Sequence, residues 1–139
     1  YIVNRDDLKE LSVIRLEEVE LLLQNGKYDG AYYLCGYIIE YAIKACIAKR
    51  INQYDFPDKV TTQNAYSHSF TGLINAAKLE PQLRIELRSN SIFASMWNVV
   101  IDWKPDSRYE KNSAIKANEL YQSITDKTNG VLRWIQLHW

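Results

Sequence analysis

The chain of 139 residues, 47% hydrophobic and 24% charged, is long enough to bury one core without disulfides or metal staples, and its composition excludes disordered, collagen-like and low-complexity chains. Seventeen basic side chains balance seventeen acidic ones, so no bulk charge pulls the protein onto nucleic acid, and only a local patch would do so. Five glycines and three prolines are too few for a turn-rich β-sandwich or a glycine-lined phosphate loop, whereas ten tyrosines and four tryptophans suit helices with aromatic packing.

At 100° per residue, Leu8, Leu11, Leu16, Val19, Leu22 and Leu23 fall within an arc of about 140°, opposite Asp6, Glu10, Glu17 and Glu20. The pattern predicts an amphipathic first helix that stops at Asn25-Gly26. Arg15 lies inside the apolar arc, where its guanidinium must snorkel to the edge or meet a buried acid.

A second helix is expected from Tyr28-Asp29, with Asp29 as its N-cap, to about Arg50. Ala31, Leu34, Cys35, Ile38, Ala42, Ala45 and Cys46 make one face, and Tyr32, Ile39, Ile43 and Ile47 another. A helix apolar all round belongs at the centre of a fold, covered by its own chain on one side and by neighbours or a second subunit on the other. Gly36 costs such a helix about 1 kcal/mol relative to Ala, which makes sense where another backbone approaches closely. Glu40 and Lys44 lie one turn apart on a third stripe with Tyr33 and Tyr37, forming either an ordinary ion pair or a polar cluster that faces a ligand or a second subunit. Residues 31–48 approach membrane-spanning length, but each of these charges would cost roughly 2.5–3.5 kcal/mol in lipid, so the segment reads as a buried soluble helix. Cys35 and Cys46, eleven residues apart on one helix, would lie about 16 Å apart, too far for a disulfide.

Residues 52–67, with Pro57, Asp58 and two threonines, read as a polar loop. A short third helix then opens at His68, with Ser67 or Ser69 as cap and Phe70, Leu73, Ile74 and Ala77 on its buried face. Pro81 suits the first position of a fourth helix over 81–101, interruptible at Ser89-Asn90-Ser91, with Ile92, Phe93, Met96, Trp97, Val99, Val100 and Ile101 as core. A second polar loop over 102–112 holds Trp103, Pro105, Arg108 and Tyr109. In the last helix, Ala117, Leu120, Tyr121, Ile124, Val131 and Ile135 keep one arc when counted through Gly130, which predicts a single long helix with a weak spot at 128–130. With no repeats and no strand-like alternation, the expected architecture is all-α, an up-and-down antiparallel bundle of four to five helices in one domain spanning 1–139.

Two histidines and two distant cysteines match no zinc spacing, so no metal is expected, and no phosphate-loop, dinucleotide or nucleophile-elbow motif implies a cofactor. The best ligand-facing candidate is the second loop: Arg108 offers a planar fork for phosphate, and Tyr109 and Trp103 offer faces on which a base could stack. Equally, Arg108 could pair with Asp102, Asp106 or Glu110, leaving Trp103 and Tyr109 to cover the end of the core. His68 reads as a helix-start residue that holds the loop, or as a group suited to proton transfer.

The run Ala31-Tyr-Tyr-Leu-Cys-Gly-Tyr-Ile-Ile-Glu-Tyr-Ala-Ile-Lys-Ala, then His68-Ser-Phe-Thr-Gly-Leu, then Trp103-Lys-Pro-Asp-Ser-Arg108-Tyr109, resembles the HEPN domain (higher eukaryotes and prokaryotes nucleotide-binding domain). No single piece is specific, but three in the right order cover most of the chain. The resemblance implies a four-to-five-helix bundle that pairs as a homodimer, here through the second helix. Some members of the family are toxins or defence nucleases that cut RNA without metal through an Arg-x4–6-His motif; others accompany minimal nucleotidyltransferases or bind nucleotides without that motif. Arg133-Trp-Ile-Gln-Leu-His138 is a formal match, weak by itself and placed at the far end of the last helix. Weak catalytic candidates are thus Arg133, His138 and His68, and ligand-binding candidates are Arg108, Tyr109, Trp103, Glu40 and Lys44. The expected function is a cytoplasmic module that dimerises and binds a nucleotide, RNA or a partner protein such as a minimal nucleotidyltransferase, without catalysis of its own. The alternatives are a metal-independent ribonuclease of toxin or defence type, and a purely structural interaction domain cut from or paired with a larger system. Full ion-pairing of Arg108 and the lack of a cleft would favour the last.

Overall fold

The computed structural model describes residues 3–53, 65 and 67–139, in which seven α-helices and one 3₁₀ turn occur and no strand. Helix α1 (Arg5–Gln24) opens with a capping box, Asn4 and Asp7 each bonding the other's backbone N–H, and ends at Gly26, whose φ of 69° supplies the left-handed turn. After a link of three residues, 25–27, the chain enters α2 (Tyr28–Gln53), and so short a link turns α2 back along α1 as an antiparallel hairpin. Ser12, buried in the middle of α1, donates its hydroxyl to the Ile38 carbonyl at 2.8 Å, letting the two helices meet closely without an unpaired polar atom. Arg15 reaches neither into the core nor to a buried acid. Its guanidinium meets half-exposed Glu18 at 2.6 Å and lies over the Tyr41 ring, at the edge of the hairpin.

Asp29 is not the cap of α2. The tight link lets the Ala31 N–H reach the Lys27 carbonyl, so the helix opens before Asp29, whose carboxylate instead receives the backbone N–H of Asn112. Beyond that start α2 is the axis of the fold. It packs against α1, α3 (Phe70–Ala76), the 3₁₀ turn (Pro105–Tyr109), α6 (Ala114–Thr125) and α7 (Val131–Gln136). Ala31, Cys35, Ile38, Ile39, Ala42, Ile43 and Ala45 lose all solvent contact within a single chain. Most of the all-round apolar pattern is therefore satisfied within the chain, and among the residues of the helix left part-exposed Tyr33, Tyr37, Tyr41 and Lys44 form one line. Gly36 is likewise accounted for internally, by a side chain and not by a backbone. A Cβ there would stand 2.0 Å from the Trp103 indole, which lies flat across the glycine. The two grounds for placing a dimer on the second helix are thus both met inside the monomer.

Helix α3 starts at Ser69, whose hydroxyl caps the Gly72 N–H, and seats Phe70, Leu73 and Ile74 in the core. The expected fourth helix is divided into α4 (Glu80–Ser89) and α5 (Ser91–Ile101) at Asn90, which ends one and caps the other through the Phe93 N–H. Of the apolar residues in α5, Phe93, Trp97 and Val100 are buried, but Ile92 and Ile101 face outward. The expected single last helix is also divided, into α6 and α7. Asp126 leaves the helical conformation and its carboxylate accepts the Thr128 and Asn129 N–H groups, while a Cβ on Gly130 would sit 2.5 Å from the Asp126 carbonyl oxygen. The two breaks meet in space: Asn90 Nδ2 donates to Asn129 Oδ1 at 2.8 Å. Each break satisfies its freed backbone N–H groups with its own side chain, Asn90 or Asp126, and the amide–amide bond ties the two together, which is why a continuous hydrophobic register does not yield a continuous helix. The polar segment expected at 52–67 falls largely outside the described residues.

No helix among the described residues is long and apolar enough to cross a membrane, and α2 is interrupted on its polar stripe by Glu40 and Lys44 as expected. Cys35 and Cys46 are free thiols in the core, both pushed up to about 12 by burial.

Candidate functional site

Glu40, in the middle of α2, is only 3% exposed, and both its carboxylate oxygens are engaged: Oε2 accepts from Lys44 Nζ at 3.3 Å and Oε1 lies 2.7 Å from His68 Nδ1. The Lys44 contact follows from i,i+4 spacing on one helix, and the His68 contact does not, since it spans 28 residues and depends on where α3 docks. The imidazole keeps 57% of its side-chain surface and borders a cleft of about 330 Å³. That cleft lies between the start of α3 (Ser69, Phe70, Thr71) and the segment Ile101, Trp103, Lys104, Pro105 and Asp106.

Trp103 is the wall of this cleft and not a platform in it. Its indole is 3% exposed, donates Nε1–H to the Tyr32 carbonyl at 3.0 Å, stacks on Phe70 at 5.6 Å and meets the Tyr37 ring edge-on at 5.4 Å. With Gly36 beneath one face and Phe70 against the other, no face is left for a base, so the stacking role expected of Trp103 is corrected to a structural one. What the indole does is fix the position of the chain that follows it, Lys104 and the 3₁₀ turn.

On that turn Arg108 is exposed, its guanidinium 4.7 Å over the Tyr109 ring. The Tyr109 hydroxyl first, and the Tyr33 hydroxyl beyond it, raise its pKa further above the usual arginine value. Among the described residues neither Arg108 nor Lys104 has a carboxylate within ion-pairing distance, so Asp102, Asp106 and Glu110 do not neutralise the arginine. Tyr33 and Tyr37 join their hydroxyls at 3.1 Å, and burial, followed by that hydrogen bond and by the nearby Glu40 charge, raises the Tyr37 pKa. A continuous polar and aromatic strip thus runs from Arg108 through Tyr33 and Tyr37 to Glu40, Lys44 and His68. The sequence marked its α2 members as one stripe; Lys104 and the joining of Glu40 to His68 carried no local signal.

Arg133 and His138 lie elsewhere. Both line a second cleft of about 370 Å³, formed by α4, α5 and α7 with Ile85, Phe93, Trp134 and Leu137 as its apolar surface. Arg133 sits on α7 and donates to the Thr128 carbonyl at 3.3 Å; His138 is beyond the helix end, its ring edge-on to Trp134 at 4.9 Å. Burial, helped by the Lys49 charge, lowers the His138 pKa. Among the described residues no three His, Cys, Asp or Glu side chains gather as a metal-binding group.

A helical bundle around one buried central helix, with a polar cleft lined by His68, Lys104 and Asp106 at the end of that helix's polar stripe, is the class of protein these features define. The HEPN domain family model matches residues 6–136, nearly the whole chain, and the protein belongs to the HEPN family. It is thereby a helical module of a family tied to nucleotides and RNA. Comparison with curated proteins and with solved structures finds no match.

Proposed function

We propose that this HEPN module binds a phosphate-bearing ligand, a nucleotide or an RNA, at the cleft beside the 3₁₀ turn, and does so without catalysis of its own. The observation that carries the reading is the pair of uncompensated cations on one short segment, Lys104 in the cleft wall and Arg108 four residues on, with no carboxylate paired to either among the described residues. An arginine that merely fixed a loop would be expected to find one of its three acidic neighbours; a fork left open to solvent suits phosphate oxygens. Tyr109, 77% exposed, offers the stacking face that Trp103 does not. Glu40 and Lys44 serve the site from behind, through His68 and the tyrosine strip. Pairing with a second copy, and with a minimal nucleotidyltransferase, follows from the family resemblance and completes the proposal; the Tyr33, Tyr37 and Tyr41 line is an accessible part of the second helix for such a contact.

The test is a titration of ATP, and separately of a fluorescent RNA oligomer, into the protein and its Arg108→Ala variant. Losing a charge-assisted hydrogen-bonding group of about 1.5–3 kcal/mol predicts a loss of roughly tenfold or more in affinity, with an unchanged unfolding midpoint because Arg108 is exposed. Equal affinity for both proteins would refute the reading. A second reading, a metal-independent ribonuclease through Arg133 and His138, is favoured by one observation, that both line the same cleft. Incubation with a mixed RNA pool in EDTA decides it: cleavage abolished by the Arg133→Ala, His138→Ala double variant would make the protein a nuclease.

A further inference from the structure

The geometry points to His68 as a group that contacts the ligand in the cleft, with Glu40 as its positioning residue; the inference rests on the binding reading above and names a further member of that site. A buried carboxylate is an expensive way to hold a loop, because removing an ionised group from water costs far more than burying a hydroxyl or an amide that could make the same single bond. What a carboxylate adds is control of the ring. Facing Oε1 at 2.7 Å, Nδ1–H donates to Glu40, and on a ring that is more than half exposed and borders the cleft Nε2 is left to face the ligand, where the imidazolium form donates its Nε2–H to a phosphate oxygen. Lys44 takes the other carboxylate oxygen, so Glu40 is fully occupied and has one orientation in which to hold the ring. Across the same cleft stands Lys104. Imidazolium and ammonium on two walls of one cavity, from segments far apart in sequence, form a set that receives a phosphate group from two sides, beside the Asp106 carboxylate that also lines the cleft.

Two substitutions separate the nitrogens. His68→Asn keeps a side-chain N–H close to the Nδ1 position, and with it the bond to Glu40, but has nothing at Nε2. His68→Gln reaches the Nε2 position and gives up the Glu40 bond. In titrations with AMP, ATP and inorganic phosphate, the inference expects His68→Asn to bind at least tenfold more weakly at an unchanged unfolding midpoint, with His68→Gln between it and the parent. Glu40→Gln should weaken binding in the parent and leave His68→Asn no worse. With only two histidines in the chain, nitrogen-detected NMR gives an independent readout: phosphate should move the Nε2 resonance of His68 and not that of His138. Parent-like affinity of His68→Asn, with binding still lost in Arg108→Ala, would overturn this inference alone and make His68 a loop anchor. Failure of the parent protein to bind any of the three probes or to shift either histidine would overturn it together with the binding reading.

Discussion

Adding one methyl group at Gly36 should disrupt both the core and the cleft. In an unconstrained helix Gly36→Ala would gain about 1 kcal/mol, because alanine restricts the unfolded chain and favours the helix. Here the new Cβ would lie 2.0, 2.1 and 2.4 Å from three atoms of the Trp103 indole, so the ring must move by more than about 1 Å to reach ordinary contact. It cannot move without cost: Phe70 stacks behind it, Tyr37 abuts its edge, and its N–H would leave the Tyr32 carbonyl. Overpacking contributes about 1–3 kcal/mol against the variant and a stranded buried N–H about 1–3 more, which outweigh the helix gain and leave a net loss of roughly 3 kcal/mol. Urea unfolding followed by tryptophan fluorescence measures it. Because Trp103 leads directly into Lys104 and the 3₁₀ turn, nucleotide affinity should fall with stability. The clash also predicts coupling: Trp103→Leu should cost less in the Gly36→Ala background than in the parent. A Gly36→Ala protein as stable as the parent, or additive behaviour of the two changes, would refute the account of Gly36 as the seat of the indole.

Asn90 caps α5 and bonds to Asn129, so Asn90→Ala should cost about 1–2 kcal/mol in urea unfolding, while Asn90→Asp, which keeps the cap oxygen and loses the donor to Asn129, should cost less but still measurably; an Asn90→Asp protein as stable as the parent would sink the idea that the two breaks support each other. Burial lowers the His138 pKa below its unfolded value of 6.5, so in that window the unfolded chain binds more protons and stability falls as pH drops from 7 through about 6 and below. His138→Gln should flatten this acid limb, and a pH–stability curve unchanged by the substitution would contradict it. The thiols of Cys35 and Cys46, raised to about 12 in the core, should resist a thiol-specific reagent at pH 8 until the protein opens, so stoichiometric labelling of the native protein within minutes would count against their placement.

Much of this protein is written in local pattern, and the reasons are physical. The spans of α1 and α3 follow from the period of their apolar residues and that of α2 from its unbroken apolar run, and the end of α1 and start of α3 from Gly26 and Ser69, because caps and left-handed turns satisfy backbone groups locally; the Asn4 cap is seen only in the structure. The Glu40–Lys44 pair was legible for the same reason, two residues one helical turn apart. Apolar periodicity failed where it ran through Asp126 to Gly130, since it records which side of the chain is buried and not whether the backbone between buried residues stays helical. Only the docked fold decides that Trp103 fills the notch at Gly36, that Glu40 meets His68, and that α2 finds most of its covering within one chain. Those contacts join residues 28 to 67 positions apart, and no neighbour in sequence announces them. The sequence by itself determined the helical class and which residues are apolar, charged or aromatic; the tertiary structure decided which of them meet, because a side chain's partner across the bundle depends on helix direction and register rather than on anything local.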